Sequence, residues 1–115
     1  MEKIARLTPY LHVTSQLSPG DVGIVASKGY RSIINNRIDD ETDGQPSSAD
    51  LKAAAERHGL AYRHLPVTSG AVTDDDVALF ADMVKGLKGP VLAFCRTGAR
   101  STTLWALHEA GRLAP

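Results

Sequence analysis

Cysteine occurs only once in this 115-residue chain. A single cysteine excludes an internal disulfide and favours a reducing compartment. No apolar run approaches the roughly 18 residues of a transmembrane helix, and the first residues lack the apolar stretch of a signal peptide. We therefore expect a cytoplasmic protein with no membrane partner.

An excess of charge of either sign is also lacking. Lys and Arg together number 13, as do Asp and Glu, so the formal net charge is zero. A nucleic-acid-binding domain normally carries a basic excess, so we expect no nucleic-acid partner. No spacing of His, Cys and Asp is typical of a metal site, and we expect neither a metal nor another cofactor. The length suits one domain over residues 1–115.

The chain does contain an alternation of short apolar segments and helical patterns. The predicted strands are residues 10–14, 30–35, 60–67 and 91–94. The predicted helices are residues 19–28, 49–58 and 74–87, and a last one that begins near Ser101. The predicted N-caps are Ser18, Ser48 and Thr73, the last in a capping box with Asp76. Strands separated by helices predict an α/β fold with a small, mostly parallel sheet flanked by helices.

The single cysteine lies where such a sheet binds its ligands. Cys95 directly follows Val91–Phe94, the most apolar strand, and ligands bind beyond the carboxyl ends of parallel strands. The next six residues lead into the last helix: Arg96, Thr97, Gly98, Ala99, Arg100 and Ser101. Backbone N–H groups in such a loop and at a helix N-terminus bind an oxyanion and stabilise a thiolate. We predict that Cys95 is a nucleophile in an anion-binding loop.

Three residues of this loop have properties that suit the predicted chemistry. Gly98 allows a positive φ and a close approach of the ligand. Arg100 can bind two oxygens of an anion with its planar fork, and Ser101 can donate to the sulfur and cap the helix. Alternatively, Cys95 is an inert buried residue, Gly98 an ordinary turn glycine and Arg100 a surface cation. Their joint spacing favours the catalytic interpretation.

Four residues from other segments are predicted near the pocket: Ser15, Gln16, Arg37 and His64. Ser15 and Gln16 follow the first strand and are expected at the pocket edge. Arg37 follows a buried strand and either braces the catalytic loop or forms an ion pair with an acid among residues 39–41. His64 is either an alternative proton donor or a packed histidine.

Over roughly residues 8–111, the sequence resembles the phosphatase-like domain of the beta-lactamase hydrolase-like protein family, which is similar in fold to dual-specificity phosphatases. The matching segments are residues 13–17, 33–37 with Glu41, 62–67 and 90–101. The last segment is specific, and the others are supportive. The resemblance implies a cysteine-phosphatase-like fold, and it is compatible with both phosphate and sulfur chemistry.

Two features depart from the pattern of cysteine phosphatases. Their loop places five residues between cysteine and arginine, whereas four separate Cys95 from Arg100. Their proton-donating aspartate follows a His-x-Pro-Val segment closely, whereas Thr68, Ser69 and Gly70 stand here. The nearest acids, residues 74–76, begin a predicted helix. General-acid help is typically worth about 10²–10⁴-fold, so its loss weighs against ester hydrolysis.

The loop itself resembles that of single-domain rhodaneses, whose motif is Cys-Arg-x-Gly-x-Arg-Ser. Sulfur transfer releases stable anions and requires no general acid. We therefore expect a sulfurtransferase in which Cys95 takes sulfur from thiosulfate or a persulfide and passes it to a thiol, with a sulfur-oxidising enzyme as a candidate partner. Two alternatives stay open: a phosphatase that forms a Cys95 phosphoenzyme, and a non-catalytic sensor of persulfides or oxyanions.

Overall fold

The computed structural model describes residues 3–113 as four helices around a five-stranded sheet. The strands are Ile4–Arg6 (β1), Leu11–Thr14 (β2), Ser32–Asn35 (β3), Ala61–His64 (β4) and Val91–Phe94 (β5). The helices are Pro19–Ser27 (α1), Ser48–Arg57 (α2), Asp74–Gly86 (α3) and Ala99–Leu113 (α4). The strand order is β1-β2-β5-β3-β4, with β1 antiparallel and the other pairings parallel. This confirms the predicted α/β class.

Local side-chain chemistry sets the starts of α1 and α3. The Ser18 hydroxyl accepts from the Asp21 N–H, and the Asp21 carboxylate accepts from the Ser18 N–H. Thr73 and Asp76 form the same reciprocal pair before α3. Each pair satisfies backbone donors that a helix N-terminus leaves free. The predicted caps at Ser18 and Thr73 are therefore confirmed.

Two other predicted helix starts are wrong by one or two residues. Ser47, not Ser48, caps α2 by accepting from the Asp50 N–H. Ser48 is the first helical residue, and its hydroxyl is 2.8 Å from that of Tyr62. Helix α4 begins at Ala99 rather than Ser101, because Gly98 adopts a φ of 96° and reverses the chain immediately before it.

The strands also differ from their predicted limits. β3 begins at Ser32 rather than Tyr30, and β4 ends at His64 rather than Val67. After β4 the chain bends away but stays attached, since Leu65 and Val67 still donate to the carbonyls of residues 35 and 36. β1 is not predicted from the sequence at all. It is a three-residue edge strand that is too short to show an alternating apolar pattern. Its hydrogen bonds to β2 hold it in the extended conformation.

Two apolar clusters enclose the sheet and position the end of β5. One contains Leu92 and Phe94 together with residues of α1 and α2. The other contains Ala93 and Val91 together with Phe80 of α3 and Leu104 of α4. Every residue of β5 is therefore buried, and the segment that follows it emerges between the two layers. Among the helices found in residues 3–113, none has the length and apolar character that crossing a lipid bilayer requires.

Candidate active site

Cys95 lies at the junction of β5 and α4. The residue is only 1% exposed, and its sulfur accepts a hydrogen bond from the Gly98 N–H at 3.1 Å. The 15-residue helix α4 begins immediately afterwards at Ala99. Free N–H groups and the positive end of the helix dipole stabilise a negative charge at this point. The Cys95 sulfur therefore lies where backbone donors and the helix dipole favour the binding of an anion.

Gly98 has the backbone conformation that the loop needs. Its φ is 96°, in the region that favours glycine. A Cβ at this position would also lie 3.3 Å from the Thr14 carbonyl oxygen. The neighbouring Arg96 carbonyl accepts from the Gln16 N–H at 3.2 Å. The end of β2 and the residues after it thus hold one side of the loop in place.

Arg100 is buried, and its guanidinium is held by the carboxylate of Glu41. Nη1 donates to Glu41 Oε2 at 2.6 Å, and Nη2 donates to Glu41 Oε1 at 2.9 Å. Nη1 also donates to the Val67 carbonyl at 3.0 Å. These three bonds leave two of the five N–H groups, one on Nε and one on Nη2. Those two form the lateral fork of the guanidinium, which can still bind two oxygens of an anion.

Arg37 contacts the same carboxylate from the other side. Its Nε donates to Glu41 Oε1 at 2.8 Å, and Nη1 donates to Gln16 Oε1 at 3.0 Å. Nη2 donates to the Thr42 hydroxyl at 3.3 Å. The two interpretations of Arg37 therefore coincide. It forms an ion pair with Glu41, and through Glu41 it braces Arg100.

The charges in this network reinforce each other. Hydrogen bonding from Arg100 lowers the pKa of Glu41 to about 2, against the opposing effect of burial and with further help from Arg37. The Glu41 hydrogen bond is also the main cause that raises the pKa of Arg100, and the nearby Cys95 sulfur contributes in the same direction. At neutral pH, Glu41 is an anion between two cations. It positions Arg100 and has no proton to donate.

Other predicted residues lie close to the loop with roles partly different from those expected. The Ser101 hydroxyl donates to Asn36 Oδ1 at 2.8 Å, so its hydrogen is not directed at the sulfur, and Ser101 does not cap α4. The side chain of Thr97 performs a capping function instead, by accepting from the Ala99 N–H at 3.3 Å. Arg96, Thr97 and Ala99 are exposed at the surface of the loop.

The remaining predicted residues differ in how they contact this network. The His64 Nε2 lies 2.7 Å from the Arg37 carbonyl oxygen. Because a carbonyl can only accept, the imidazole donates there, which suits the packed interpretation of His64. Ser15 is half-buried directly after β2, next to Gln16, which contacts both Arg37 and the loop.

Asn36 is a buried residue of this site that the sequence analysis misses. Its Oδ1 accepts from Ser101, and its Nδ2 donates to the Leu65 carbonyl at 3.1 Å. It joins the segments after β3 and β4 to the first turn of α4. The available signal was its position, because a polar residue directly after a buried parallel strand lies at the ligand-binding edge of the sheet.

The acids nearest in sequence to the missing proton donor belong to α3. Asp76 is part of the capping box with Thr73. Asp74 lines a surface cavity between α3 and α4, together with Leu107 and Arg112. The expectation that these acids begin a helix is met. The segment from Thr68 to Thr73 contributes no carboxylate to the loop.

Comparison with known proteins places this geometry in a family. Residues 3–112 match the family model for the phosphatase-like domain of the beta-lactamase hydrolase-like protein. The beta-lactamase hydrolase-like protein of Agrobacterium fabrum (strain C58) is 35% identical over 108 residues, which are 94% of this chain and 25% of that protein. The chain thus spans about a quarter of the length of the curated relatives it matches.

Solved structures show the same relationship. A candidate phosphatase from Neisseria meningitidis Z2491 is 35% identical, with a TM-score of 0.90 over 97% of this chain and 80% of that one. Pseudomonas aeruginosa TpbA, crystallised as the C132S variant with pTyr, is 17% identical, with a TM-score of 0.66 over 92% of this chain and 61% of its own. At that identity, the similarity to TpbA concerns the fold alone.

These findings correct the expected sulfurtransferase function. The family model and the similar structures are phosphatase-like, and none of them supports sulfur transfer, a sulfur substrate or a sulfur-oxidising partner. The loop motif alone does not distinguish the two chemistries. A Cys-Arg-x-Gly-x-Arg-Ser loop provides an anion site that suits either chemistry, whereas the match over residues 3–112 concerns the entire scaffold. The chain belongs to the beta-lactamase hydrolase-like protein family, in which it corresponds to the phosphatase-like domain.

Proposed function

We propose that this chain is a cysteine-dependent phosphatase domain. The observation that carries the proposal is the position of the Cys95 sulfur, which accepts the Gly98 N–H at the start of α4. The thiolate attacks phosphorus, and the bond from phosphorus to the leaving oxygen breaks as the phosphocysteine forms. Water then attacks phosphorus, which releases inorganic phosphate and restores the thiol of Cys95.

Arg100 and the loop N–H groups bind the phosphoryl oxygens in this scheme. The two N–H groups of Arg100 that Glu41 and Val67 leave free supply a bidentate contact. Because Glu41 and Arg37 orient the guanidinium before substrate arrives, little reorganisation is needed when charge develops on the equatorial oxygens. Glu41 and Arg37 are positioning residues, since they act through Arg100.

The leaving group determines which esters this site hydrolyses well. Glu41 is ionised at neutral pH, and the acids of residues 74–76 lie at the start of α3. Without a placed acid, the leaving oxygen departs as an anion or takes its proton from water. We therefore propose aryl phosphates, whose phenolate leaves readily, as better substrates than alkyl phosphates. The pTyr bound to TpbA is an aryl phosphate, which agrees with this substrate class.

The test is hydrolysis of 4-nitrophenyl phosphate, phenyl phosphate and glycerol 3-phosphate by the intact chain and by Cys95→Ser. We expect measurable turnover that falls in that order, and a loss of about 10³-fold or more in Cys95→Ser. Rapid acid quench and intact mass measurement should detect one phosphoryl group on the wild-type protein only. Equal turnover by Cys95→Ser, or no turnover of any of the three esters, would contradict the proposal.

A further inference from the structure

A second concentration of positive charge lies at the opposite end of the parallel strands. A cavity of about 440 Å³ is lined there by Ile4, Arg6, His12, Lys28, Tyr30 and Pro90, and we call it the His12 cavity. Pro90 directly precedes β5, whereas Cys95 follows it. At about 3.3 Å per strand residue, roughly 16 Å separates the cavity from the catalytic loop. The two are therefore different sites.

A buried imidazole nitrogen without a partner marks this cavity. His12 is 5% exposed, and its Nδ1 lies 2.7 Å from the Tyr30 hydroxyl oxygen. Its Nε2 is buried and has no hydrogen-bond partner among residues 3–113. A buried polar atom without a partner costs about 1–3 kcal/mol, so such atoms normally mark the place of a water or a ligand.

In the tautomer in which the Tyr30 hydroxyl donates to Nδ1, Nε2 is a donor. Burial, and then the charge of Arg6, lower the pKa of His12 against the opposing effect of the Pro9 carbonyl, so the ring is neutral at neutral pH. Burial raises the pKa of Tyr30, so its hydroxyl keeps its hydrogen. When that hydroxyl donates to Nδ1, the ring hydrogen is on Nε2.

The charges around Nε2 have one sign. Arg6 is paired directly with His12 across β1 and β2, and Lys28 is the C-cap of α1. Within residues 3–113 neither cation forms an ion pair, and the cavity lining contains no acidic residue. The last carbonyls of α1 already accept from the N–H groups of Lys28 and Gly29. A small anion with several acceptor oxygens complements this arrangement best.

We propose that the His12 cavity is a second anion site, which binds a phosphate group through His12 Nε2–H, Arg6 and Lys28. The shared chemistry is a tetrahedral dianion, supplied either as inorganic phosphate or as the phosphate of a small monoester. The cavity binds this group without a covalent step. The inference stands apart from the proposed phosphatase function, because no residue of the catalytic loop takes part in it.

The test uses site-resolved NMR titrations of the 15N-labelled chain with inorganic phosphate and, separately, with glycerol 3-phosphate. The Cys95→Ser variant is used so that neither ligand is consumed. The backbone amides of Arg6 and His12 and the side-chain Nε2 signal of His12 report on the cavity, and the Gly98 amide reports on the catalytic loop. We expect a saturable shift of the cavity signals, with an affinity that differs from that of the Gly98 signal.

Two matched double variants keep the proposal falsifiable. Arg6→Gln with Lys28→Gln removes both exposed cations of the cavity, and Lys52→Gln with Arg57→Gln makes the same change of charge on the exposed face of α2. We expect the first to weaken phosphate binding at the cavity by about tenfold or more while the Gly98 curve stays unchanged. We expect the second to leave both curves unchanged.

Four outcomes decide between the interpretations. Shifts with phosphate and with glycerol 3-phosphate support a site for a phosphate group, whereas shifts with phosphate alone support a site for the free ion. Shifts of the Gly98 signal without shifts of the His12 signals would overturn the proposal and leave a cavity that holds water. Equal weakening by both double variants would also overturn it, since the effect would then be one of net charge.

Discussion

The two ends of the parallel strands both carry buried polar groups, but they satisfy them differently. At the carboxyl end, Arg37 and Arg100 share Glu41, and Ser101 is paired with Asn36. At the amino end, the Nε2 of His12 lacks a partner within residues 3–113. At the carboxyl end the charged side chains are paired before any ligand arrives, whereas at the amino end one buried nitrogen has no hydrogen-bond partner within residues 3–113.

This difference supports the proposal that the carboxyl end is the catalytic one. A catalytic anion site gains most when its donors are oriented in advance, because reorientation during the reaction costs free energy. Two hydrogen bonds to Glu41 and one to the Val67 carbonyl provide that orientation for the Arg100 guanidinium. Exposed cations such as Arg6 and Lys28 lose side-chain conformational freedom when they bind a ligand. We therefore expect large effects of substitution at the carboxyl end.

We expect the largest effect from Arg100→Lys, which should lower the catalytic activity. Lysine keeps the positive charge but cannot supply a fork to phosphate while it also contacts Glu41 and the Val67 carbonyl. We expect kcat/KM for 4-nitrophenyl phosphate to fall by about 10²–10³-fold, the range seen when one preorganised donor is lost.

The control for this change is Arg63→Lys, an exposed arginine whose side chain donates to the neighbouring Tyr62 carbonyl. Circular dichroism should show both variants folded. If Arg100→Lys kept full activity, or if Arg63→Lys lost as much, the preorganised fork at the carboxyl end would not be the source of catalysis.

Glu41→Gln is expected to have the next largest effect, on stability. The pKa of Glu41 is lowered from 4.5 to about 2, so its ionised form stabilises the fold above about pH 4.5. That stabilisation is lost as the pH falls from about 4.5 towards 2. A shift of this size corresponds to about 3 kcal/mol, but Glu41 is exposed, so solvent screening reduces its contribution to about 1–2 kcal/mol at neutral pH. Removing the charge also leaves Arg100 buried without its counter-ion.

Urea unfolding at pH 7 and at pH 3.5 measures this effect. The difference in free energy of unfolding between wild type and Glu41→Gln should be large at pH 7 and smaller at pH 3.5. Glu56→Gln, on the exposed face of α2, should change little at either pH. A difference that stayed constant between the two pH values would show that the ionised carboxylate is not what holds the network together.

The elements that the sequence predicts well are those whose causes are local. Ser18 and Thr73 each find their capping partner three residues later, so the starts of α1 and α3 are visible in the sequence. β1 depends on pairing with β2 through the register Ile4 to Thr14. A three-residue strand with a single large apolar side chain carries too little pattern to be predicted without that partner.

The same distinction separates the parts of the site. Cys95, Gly98 and Arg100 lie within six residues of each other, and their spacing predicts an anion-binding loop. The partner of Arg100 is 59 residues away, and a glutamate in a polar loop gives no local sign that it meets a buried arginine. The loop alone also does not distinguish sulfur from phosphate chemistry, because both reactions use the same anion-binding loop. The information that favours phosphate chemistry is the match of residues 3–112 to a phosphatase-like family.

Gly98→Ala is expected to have an intermediate effect on both stability and activity. A positive φ costs a non-glycine residue about 1–2 kcal/mol, and the new Cβ would lie 3.3 Å from the Thr14 carbonyl oxygen. The loop must shift, which moves the N–H away from the Cys95 sulfur. We expect about 2 kcal/mol of lost stability and a fall of about tenfold in kcat/KM.

The matched control is Gly59→Ala. Gly59 has a φ of 73° but open space where a Cβ would be. It lies after α2, outside the candidate site, so this variant measures the backbone cost alone, by thermal unfolding and steady-state kinetics. If the two variants lost activity equally, the position of the Gly98 N–H would not matter for catalysis.

The smallest expected effect tests whether the hydrogen bonds of the carboxyl end are needed individually. Ser101→Ala removes the donor to Asn36 Oδ1, a bond between two fully or almost fully buried residues. We expect a loss of about 1 kcal/mol in the free energy of unfolding, because Asn36 keeps its bond to the Leu65 carbonyl. Thr103→Ala, on the exposed face of α4, is the control. Equal stability of Ser101→Ala and wild type in urea would mean that the carboxyl end tolerates an unpaired buried oxygen, as the amino end tolerates the unpaired Nε2 of His12.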